Sequence, residues 1–478
     1  MRSEGGRHGR RGLIVALVLL WAGPGWAGFE DDFTGATLRL DLYHSGTATE
    51  ERWAGDRARI EGTWPGSQTA LLDDSGLGAY LAEVVDLASN RPLYSRGFAD
   101  TFAEWQTTPE AIAGTWRTFP EAIRFPEPRQ PVQVRIRRRG TDGIFREIWS
   151  STVDPAAPAV DRAPVGPQTV WTLEEGGAPA VKLDLLLLGD GYTAAERDKF
   201  HADARRLADV LLRTEPFASR RGDLNIRAID TATPASGVAR PQVGEFRRTA
   251  LGTTYNAFGS ERYVLTFDDR AWRDVAAAAP YDFIAILANN RTYGGGGIYN
   301  LYATAAAGSE FSPYVFVHEL GHSLGGLGDE YYTSPVAYEA PAGEIPEPWE
   351  PNLATGRDPR RLKWSDLLTG GIAVPTPWGK ADYEKASLAF QDRRRKIRAE
   401  NRPEEEMEAL FREERELFTR TLGAEPHAGK VGAFEGAGYQ ATGMFRPSAD
   451  CIMFTRDPVA FCAVCRRAIE RVIDRHAR

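Results

Sequence analysis

The sequence predicts two domains of different class, an all-β sandwich followed by an α/β domain. Three observations carry this. Between Gly28 and Val153 apolar and polar residues alternate, and helical periodicity is scarce. Residues 154–167 hold Pro155, Pro158, Pro164 and Pro167 with Ala and Gly between them, the composition of a stiff, extended linker. From residue 168 onward, strand-like and helix-like segments alternate, the pattern of a layered α/β domain.

Each element has its own signal. Thr37 to Tyr43 sets Leu38, Leu40 and Leu42 against Arg39 and Asp41, the period of a half-buried strand. Val132 to Arg137 alternates in the same way. It is followed by Gly140-Thr141-Asp142-Gly143 and an apolar stretch from Ile144 to Trp149, which reads as a hairpin. In the second domain, Leu183 to Leu188 is a buried-strand run. Thr193-Ala194-Ala195-Glu196 has the spacing of a capping box and opens a helix to about Arg213. Leu224 to Asp230 and Asp282 to Ala288 read as further strands. Glu384 to Leu422 is densely charged and broken near Pro403, which predicts a solvated helical hairpin inserted at about 381–422.

The chain has 478 residues, a formal net charge of −8, 42% hydrophobic and 26% charged residues. This balance excludes a collagenous, coiled-coil or wholly disordered chain. The acidic surplus provides no footprint for nucleic acid. At the N-terminus, Arg2, Arg7, Arg10 and Arg11 precede an apolar run from Leu13 to Ala22, then Gly25-Trp26-Ala27. This is the three-part pattern of a cleaved signal peptide over residues 1–27. The run is short for a bilayer span, and no later segment is long and apolar enough to cross one. The expected product is exported, extracellular or periplasmic, with no stable membrane insertion.

Chemistry concentrates in the segment Val317-His318-Glu319-Leu320-Gly321-His322-Ser323-Leu324-Gly325-Gly326-Leu327-Gly328-Asp329-Glu330-Tyr331. Two histidines four apart share one helix face, so both imidazoles reach one tetrahedral Zn²⁺. Glu319 between them is then placed to take a proton from water at the metal. Ser312-Pro313 supplies an N-cap and first-turn pair for the helix. Gly325-Gly326 stops it, and Asp329 is the next polar residue after the turn, a candidate third ligand. Gly189-Asp190-Gly191-Tyr192-Thr193-Ala194 matches a dinucleotide fingerprint, but the acid that should follow about twenty residues on is missing at a strand end. A tight strand-to-helix turn with Asp190 in structural hydrogen bonds is the better reading.

The segment resembles the metzincin zinc peptidases and, more closely, the bacterial immunoglobulin-A-peptidase metallopeptidase family. The residues that carry the resemblance are His318 to His322 through Asp329-Glu330-Tyr331, Gly189 to Thr193, Cys451-Ile452-Met453, and Phe461-Cys462-Ala463-Val464-Cys465. The resemblance implies a metzincin-like α/β catalytic domain over 168–478 with an active-site helix and a Met-turn at Met453. It implies His318, His322 and Asp329 as ligands of one catalytic zinc ion and Glu319 as the general base. Most metzincins place the third ligand ten residues after the first histidine. That position is Gly328 here, and the added glycine of Gly325-Gly326 absorbs the offset to Asp329. Glu330 is the nearest alternative, and Glu339 a more distant one that would imply another subclass.

The implied activity is zinc-dependent endopeptidase cleavage of a protein or peptide substrate. Tyr331, Tyr299 and Tyr439 are candidates for a donor to the oxyanion. Ile298 to Thr304, after the loop Gly294 to Gly297, is a candidate edge strand for pairing with substrate. All three cysteines follow the metal motif, at Cys451, Cys462 and Cys465. Cys462-x-x-Cys465 lacks the second pair of a structural zinc site, and a disulfide bracing the Met-turn is preferred. Two rival readings stand beside the endopeptidase. One is a secreted surface- or glycan-binding protein with a structural zinc site, and the other is a zinc hydrolase acting on peptidoglycan or small peptides.

Overall fold

A computed structural model of the chain describes residues 28–334 and 345–478. The candidate signal peptide and the alternative ligand Glu339 lie outside the described residues. The N-terminal region opens with a short helix, α1 (Phe29–Asp32), and builds two antiparallel sheets. Strands β1 (Phe33–Gly46), β2 (Glu51–Thr63) and β5 (Arg117–Pro128) form one, in the order β2-β1-β5. Strands β3 (Tyr80–Asp86), β4 (Pro92–Phe98), β6 (Val132–Arg139) and β7 (Phe145–Val153) form the other, in the order β4-β3-β6-β7. Leu38, Leu40 and Leu42 of β1 meet Val84 of β3 and Val132, Val134 and Ile136 of β6 in one apolar core. The period-2 pattern thus points each strand's apolar set to the shared interior. Gly140 to Gly143 turn the predicted hairpin, pairing Arg139 with Phe145. Two short helices, α2 (Thr101–Gln106) and α3 (Pro109–Ile112), sit between β4 and β5.

The proline-rich stretch is not free chain. Asp161 pairs with β2 through Ile60 N–H to Asp161 O at 2.8 Å and Asp161 N–H to Ala58 O at 2.9 Å. Beyond it stands a six-stranded sheet built from β8 (Val170–Glu175), β9 (Leu183–Asp190), β10 (Leu224–Ile229), β13 (Phe283–Ala288), β14 (Gly295–Ile298) and β15 (Tyr302–Ala306). Its order is β14-β15-β13-β9-β10-β8. The four central strands are parallel, and both edges are antiparallel to their neighbours. Strand β9 is apolar throughout because both its faces are covered. Leu183, Leu185 and Leu187 face helices α4 (Arg197–Leu211), α6 (Ser312–Ser323) and α9 (Ala463–His476), while Leu186 and Leu188 face Trp272 of α5 (Asp269–Ala276). Two-residue strands β11 (Thr253–Thr254) and β12 (Leu265–Thr266) pair with each other, and β16 (Phe434–Ala437) and β17 (Gln440–Arg446) form a hairpin near the C-terminus.

The capping box is formed: Thr193 N–H donates to Glu196 Oε2 at 2.9 Å. Asp190 is buried and accepts from Thr249 Oγ1 (2.7 Å), Leu251 N (3.1 Å) and Thr253 N (3.0 Å), so the Gly-x-Gly turn is a structural anchor. The charged segment forms α7 (Lys380–Ala399) and α8 (Glu404–Gly423), broken at Pro403 as its sequence indicates. It departs from the expectation of a solvated hairpin. Tyr383, Phe390, Met407, Phe411 and Phe418 are buried in the main core, so its inner face covers the layer that holds α6. The high charge lies on the opposite face and hides this amphipathic stripe from a composition-based reading. Among the described residues, no helix is long and apolar enough to cross a membrane.

Candidate metal centre and active-site cleft

Helix α6 carries the His-Glu-x-x-His motif under the edge of the sheet. Ser312 is its first residue rather than its N-cap, with Pro313 in the first turn. The N-cap is Phe311, no side-chain hydrogen bond caps the helix, and the Ser312 hydroxyl accepts from Arg206 Nη1 at 3.0 Å. The glycines of β14 are explained by what they touch. A Cβ on Gly297 would run into the Glu319 carbonyl and come within 2.9 Å of His322 Cβ. One on Gly295 would meet Val315 and lie 3.1 Å from Glu319 Cγ. The strand therefore lies directly on the motif face of α6, an approach only glycine permits.

This corrects the edge-strand expectation. Gly295–Ile298 is itself the edge, not a loop before it. Ile298 to Thr304 spans the turn back into the next strand, β15. The outer rim of the edge is held at Gly295 by Val264 N–H and Arg262 C=O, each at 3.1 Å. Near Tyr299, the Ala99 N–H donates to the Tyr299 carbonyl at 3.0 Å. Gly297 lies between these two ties and lines the cleft.

Three acceptor atoms converge beside α6. His318 Nε2 lies 3.1 Å from His322 Nε2 and 3.1 Å from Asp329 Oδ1, and His322 Nε2 lies 3.2 Å from the same oxygen. The other ring nitrogens face backbone carbonyls: His318 Nδ1 to Ile452 O at 2.9 Å and His322 Nδ1 to Leu327 O at 2.6 Å. With both Nδ1–H groups donating, each Nε2 is left to hold either a proton or a metal ion facing the other imidazole and a carboxylate. Such a triangle demands positive charge at its centre. Ligands about 2.0–2.1 Å from a tetrahedral zinc ion lie about 3.3 Å apart, close to these edges. The donor set of two imidazoles and a carboxylate suits zinc.

Burial acts to lower the His322 pKa, yet Asp329 and Glu319 together lift it to about 9. Asp329 is held well below its ordinary range against the cost of burial, by His322 and His318. Glu319 is raised, burial being the largest cause, with both histidines and Arg262 pulling the other way. Its carboxylate comes within 4.8 Å of ring nitrogens of both histidines. Glu330 faces elsewhere, into the cysteine cluster, where Cys465 Sγ lies 3.3 Å from its Oε1.

The turn after α6 brings Asp329 back. Gly326 adopts a left-handed conformation with φ 61°, and Leu327 N–H returns to the Gly321 carbonyl at 3.1 Å. Beneath the helix, Met453 is fully buried, and its sulfur would lie 2.7 Å from a Cβ on Gly321. The Glu330 N–H donates to the Met453 carbonyl at 2.9 Å.

Of the three tyrosine candidates, two reach the centre. The Tyr439 hydroxyl donates to Asp329 Oδ2 and lies 3.2 Å from the Tyr331 hydroxyl, which accepts from Arg262 Nη2 at 3.3 Å. Each hydroxyl is satisfied when donation runs from Arg262 through Tyr331 and Tyr439 to Asp329. Tyr439 sits at the tip of the β16–β17 hairpin with φ 63°, a conformation rare for a bulky residue. Backbone bonds from Gly438 N–H to Asp329 O (2.9 Å) and Tyr439 N–H to Tyr331 O (3.1 Å) hold it there. Tyr299 instead packs on Trp349, ring centroids 5.3 Å apart, farther along the cleft.

The cleft above the triangle has a volume of about 380 Å³. Its walls include Arg262, Trp349 and Glu350, none of which stood out in the sequence, and Ala103 and Glu104 of α2. Only the fold brings these isolated residues to the motif. The cysteines are free thiols, Cys451 Sγ and Cys465 Sγ 3.8 Å apart, in place of the expected disulfide.

A profile described as IgA Peptidase M64 matches residues 171–473, and one described as Peptidase M64 N-terminus matches residues 28–150. No curated protein matches the chain. The two profiles together account for the β-rich region and the α/β region that carries the triangle of donors, and the chain belongs to the IgA Peptidase M64 family.

Proposed function

We propose that the chain is an exported zinc-dependent endopeptidase, with His318, His322 and Asp329 as metal ligands and Glu319 as general base. Family membership supplies the reaction class, a peptidase. The observation that carries the finer reading is the triangle of His318, His322 and Asp329 donor atoms with edges of 3.1–3.2 Å, open on the side of the cleft. A zinc ion held there supplies a Lewis acid for the scissile carbonyl and lowers the pKa of water to about 7.

The chain's own residues do the rest. Ile452 and Leu327 carbonyls fix the imidazole orientation. Glu319 takes the proton of the attacking water and returns it to the leaving amine. Burial supports this role by raising its pKa toward the working range of a general base. The Arg262–Tyr331–Tyr439 chain orients Asp329 and keeps its carboxylate supplied with donated protons beside the triangle. The edge of β14 at Gly297 offers backbone groups for pairing with an extended substrate, which favours an internal peptide bond over a small peptide. The N-terminal β region closes one wall of the cleft. Met453 forms the apolar floor in the manner of a Met-turn. The domain reading keeps 28–153 as the β region and 168–478 as the peptidase domain.

The test uses mature chain starting at Gly28, freed of metal with a chelator and incubated with a mixture of unfolded proteins. Activity that vanishes with the metal, returns with zinc, and yields internal cleavage products supports the reading. Proteolysis that persists without metal overturns it.

A further inference from the structure

Behind the cleft floor lies a second cluster of metal-ligating side chains. One ligand atom from each of Glu330, Cys451, Cys462 and Cys465 lies within 4.8 Å of every other. Cys451, Cys465 and Glu330 are fully buried. We propose that these four residues form a structural metal site for a thiophilic divalent cation of the zinc type, distinct from the histidine site.

The spacing fits. Sulfur atoms at about 2.3 Å from a tetrahedral zinc ion lie about 3.8 Å from each other. Cys451 Sγ and Cys465 Sγ are 3.8 Å apart, and Cys465 Sγ is 3.3 Å from Glu330 Oε1. Cys462 is the residue preceding α9, and its N–H donates to Cys451 Sγ at 3.3 Å. Cys462 caps the N-terminus of α9 and Cys465 lies in its first turn, so one helix end presents both sulfurs to the cluster. Soft thiolates in a closed, four-donor set select zinc-type ions over magnesium or calcium.

Glu330 is the second pointer. It is a fully buried carboxylate whose hydrogen bonds come from Asn352 Nδ2 at 3.0 Å and Cys465, neither of them cationic. Its Oε2 has no hydrogen-bond partner among the described residues. A carboxyl group taken out of water among sulfurs must either take up a proton or be joined by positive charge. A cation bound to Cys451, Cys462, Cys465 and Glu330 supplies that charge. It also gives the Cys462-x-x-Cys465 pair its other half, an acid and a lone cysteine in place of a second pair.

The placement gives the site a purpose. Glu330 follows Asp329 directly, and Cys451 precedes Ile452 and Met453. The Ile452 carbonyl orients His318 and the Met453 carbonyl holds Glu330. The cation therefore clamps the Asp329–Glu330 segment, the Cys451–Met453 turn and the start of α9 into one floor beneath the histidine triangle.

The test needs no variant of the cluster, whose loss could unfold the chain. Zinc content is measured on wild-type mature chain and on His318→Ala/His322→Ala, thiols are counted in denaturant without reductant, and X-ray absorption is recorded at the zinc edge of the double variant. The proposal predicts about two zinc ions in the wild type and about one in the variant. It also predicts sulfur scattering at about 2.3 Å and three thiols per chain. One zinc in the wild type with none in the variant overturns the proposal and leaves the histidine site standing. One thiol per chain, marking a disulfide, also overturns it. One zinc in both proteins upholds the cysteine site while contradicting the histidine site.

Discussion

His318 Nδ1 lies 2.9 Å from the carbonyl oxygen of Ile452, so the backbone of the Met453 turn sets the orientation of the first motif imidazole. The nitrogen that faces His322 and Asp329 is thus positioned by a residue far along the chain, and the floor and the helix act as one unit. If the triangle holds the proposed metal, disturbing that unit is expected to weaken its binding.

Gly321→Ala tests the contact between helix and floor. The new Cβ meets the Met453 sulfur at 2.7 Å, and overpacking of this kind costs about 1–3 kcal/mol. The expected result is a folded protein with weakened metal binding, by about 10- to 100-fold as for other losses of ligand support. Metal titration followed by calorimetry checks it, and unchanged affinity would show that the floor does not act through α6.

Gly297→Ala acts from the other side of the helix. Its Cβ runs into the Glu319 carbonyl and His322 Cβ. The strand must lift off α6, with a stability loss of about 1–3 kcal/mol and a fall in kcat as Glu319 moves. Thermal unfolding and steady-state proteolysis check the two halves. Full activity would mean that the edge strand is free to shift without carrying the base.

Tyr439→Phe removes the hydroxyl that donates to Asp329 Oδ2. The carboxylate loses its support, and metal affinity is expected to drop about 10- to 100-fold. Arg262→Gln should follow in the same direction and more weakly, because it reaches Asp329 only through Tyr331 and Tyr439. Equal metal affinity in all three proteins would contradict the relay.

A pH dependence of stability follows from the N-terminal region. His44 is buried with Nδ1 2.7 Å from Asp100 Oδ2 and Nε2 3.0 Å from Glu51 Oε2. Burial alone would lower its pKa, but the two carboxylates outweigh burial and raise it above its ordinary value. A raised folded-state pKa makes the contribution complete below about pH 6.5, the unfolded value, and lost as pH climbs through the folded one. Urea unfolding should show wild type losing stability relative to His44→Gln, approaching about 1.4 kcal/mol per pH unit in that window. Parallel profiles would mean that His44 is neutral in the folded state.

The sequence made some of this legible and hid the rest for physical reasons. His318, Glu319 and His322 share one helix, so spacing alone brings them together. Asp329 is readable because Gly325-Gly326 announces the return of the chain. Arg262 and Tyr439 come from other elements, and no local pattern marks them. The glycines 294 to 297 suggest a loop because glycine is poor in strands, whereas Gly295 and Gly297 lie in close contact with α6, and Gly294 and Gly296 against the segment from Arg262 to Leu265. The cysteine cluster was half visible in Cys462-x-x-Cys465. Its carboxylate lies 135 residues before Cys465, beyond any motif. The inner stripe of α7 and α8 was masked by surface charge.

The most direct test of the central claim compares wild type with Glu319→Gln for metal content and for cleavage of unfolded protein. The isosteric amide keeps the helix and the ligand triangle and removes only the proton acceptor. The account predicts equal metal content in the two proteins and a loss of kcat of about 10²- to 10⁴-fold in the variant. Equal metal content with undiminished cleavage would contradict it, because the base would then lie elsewhere.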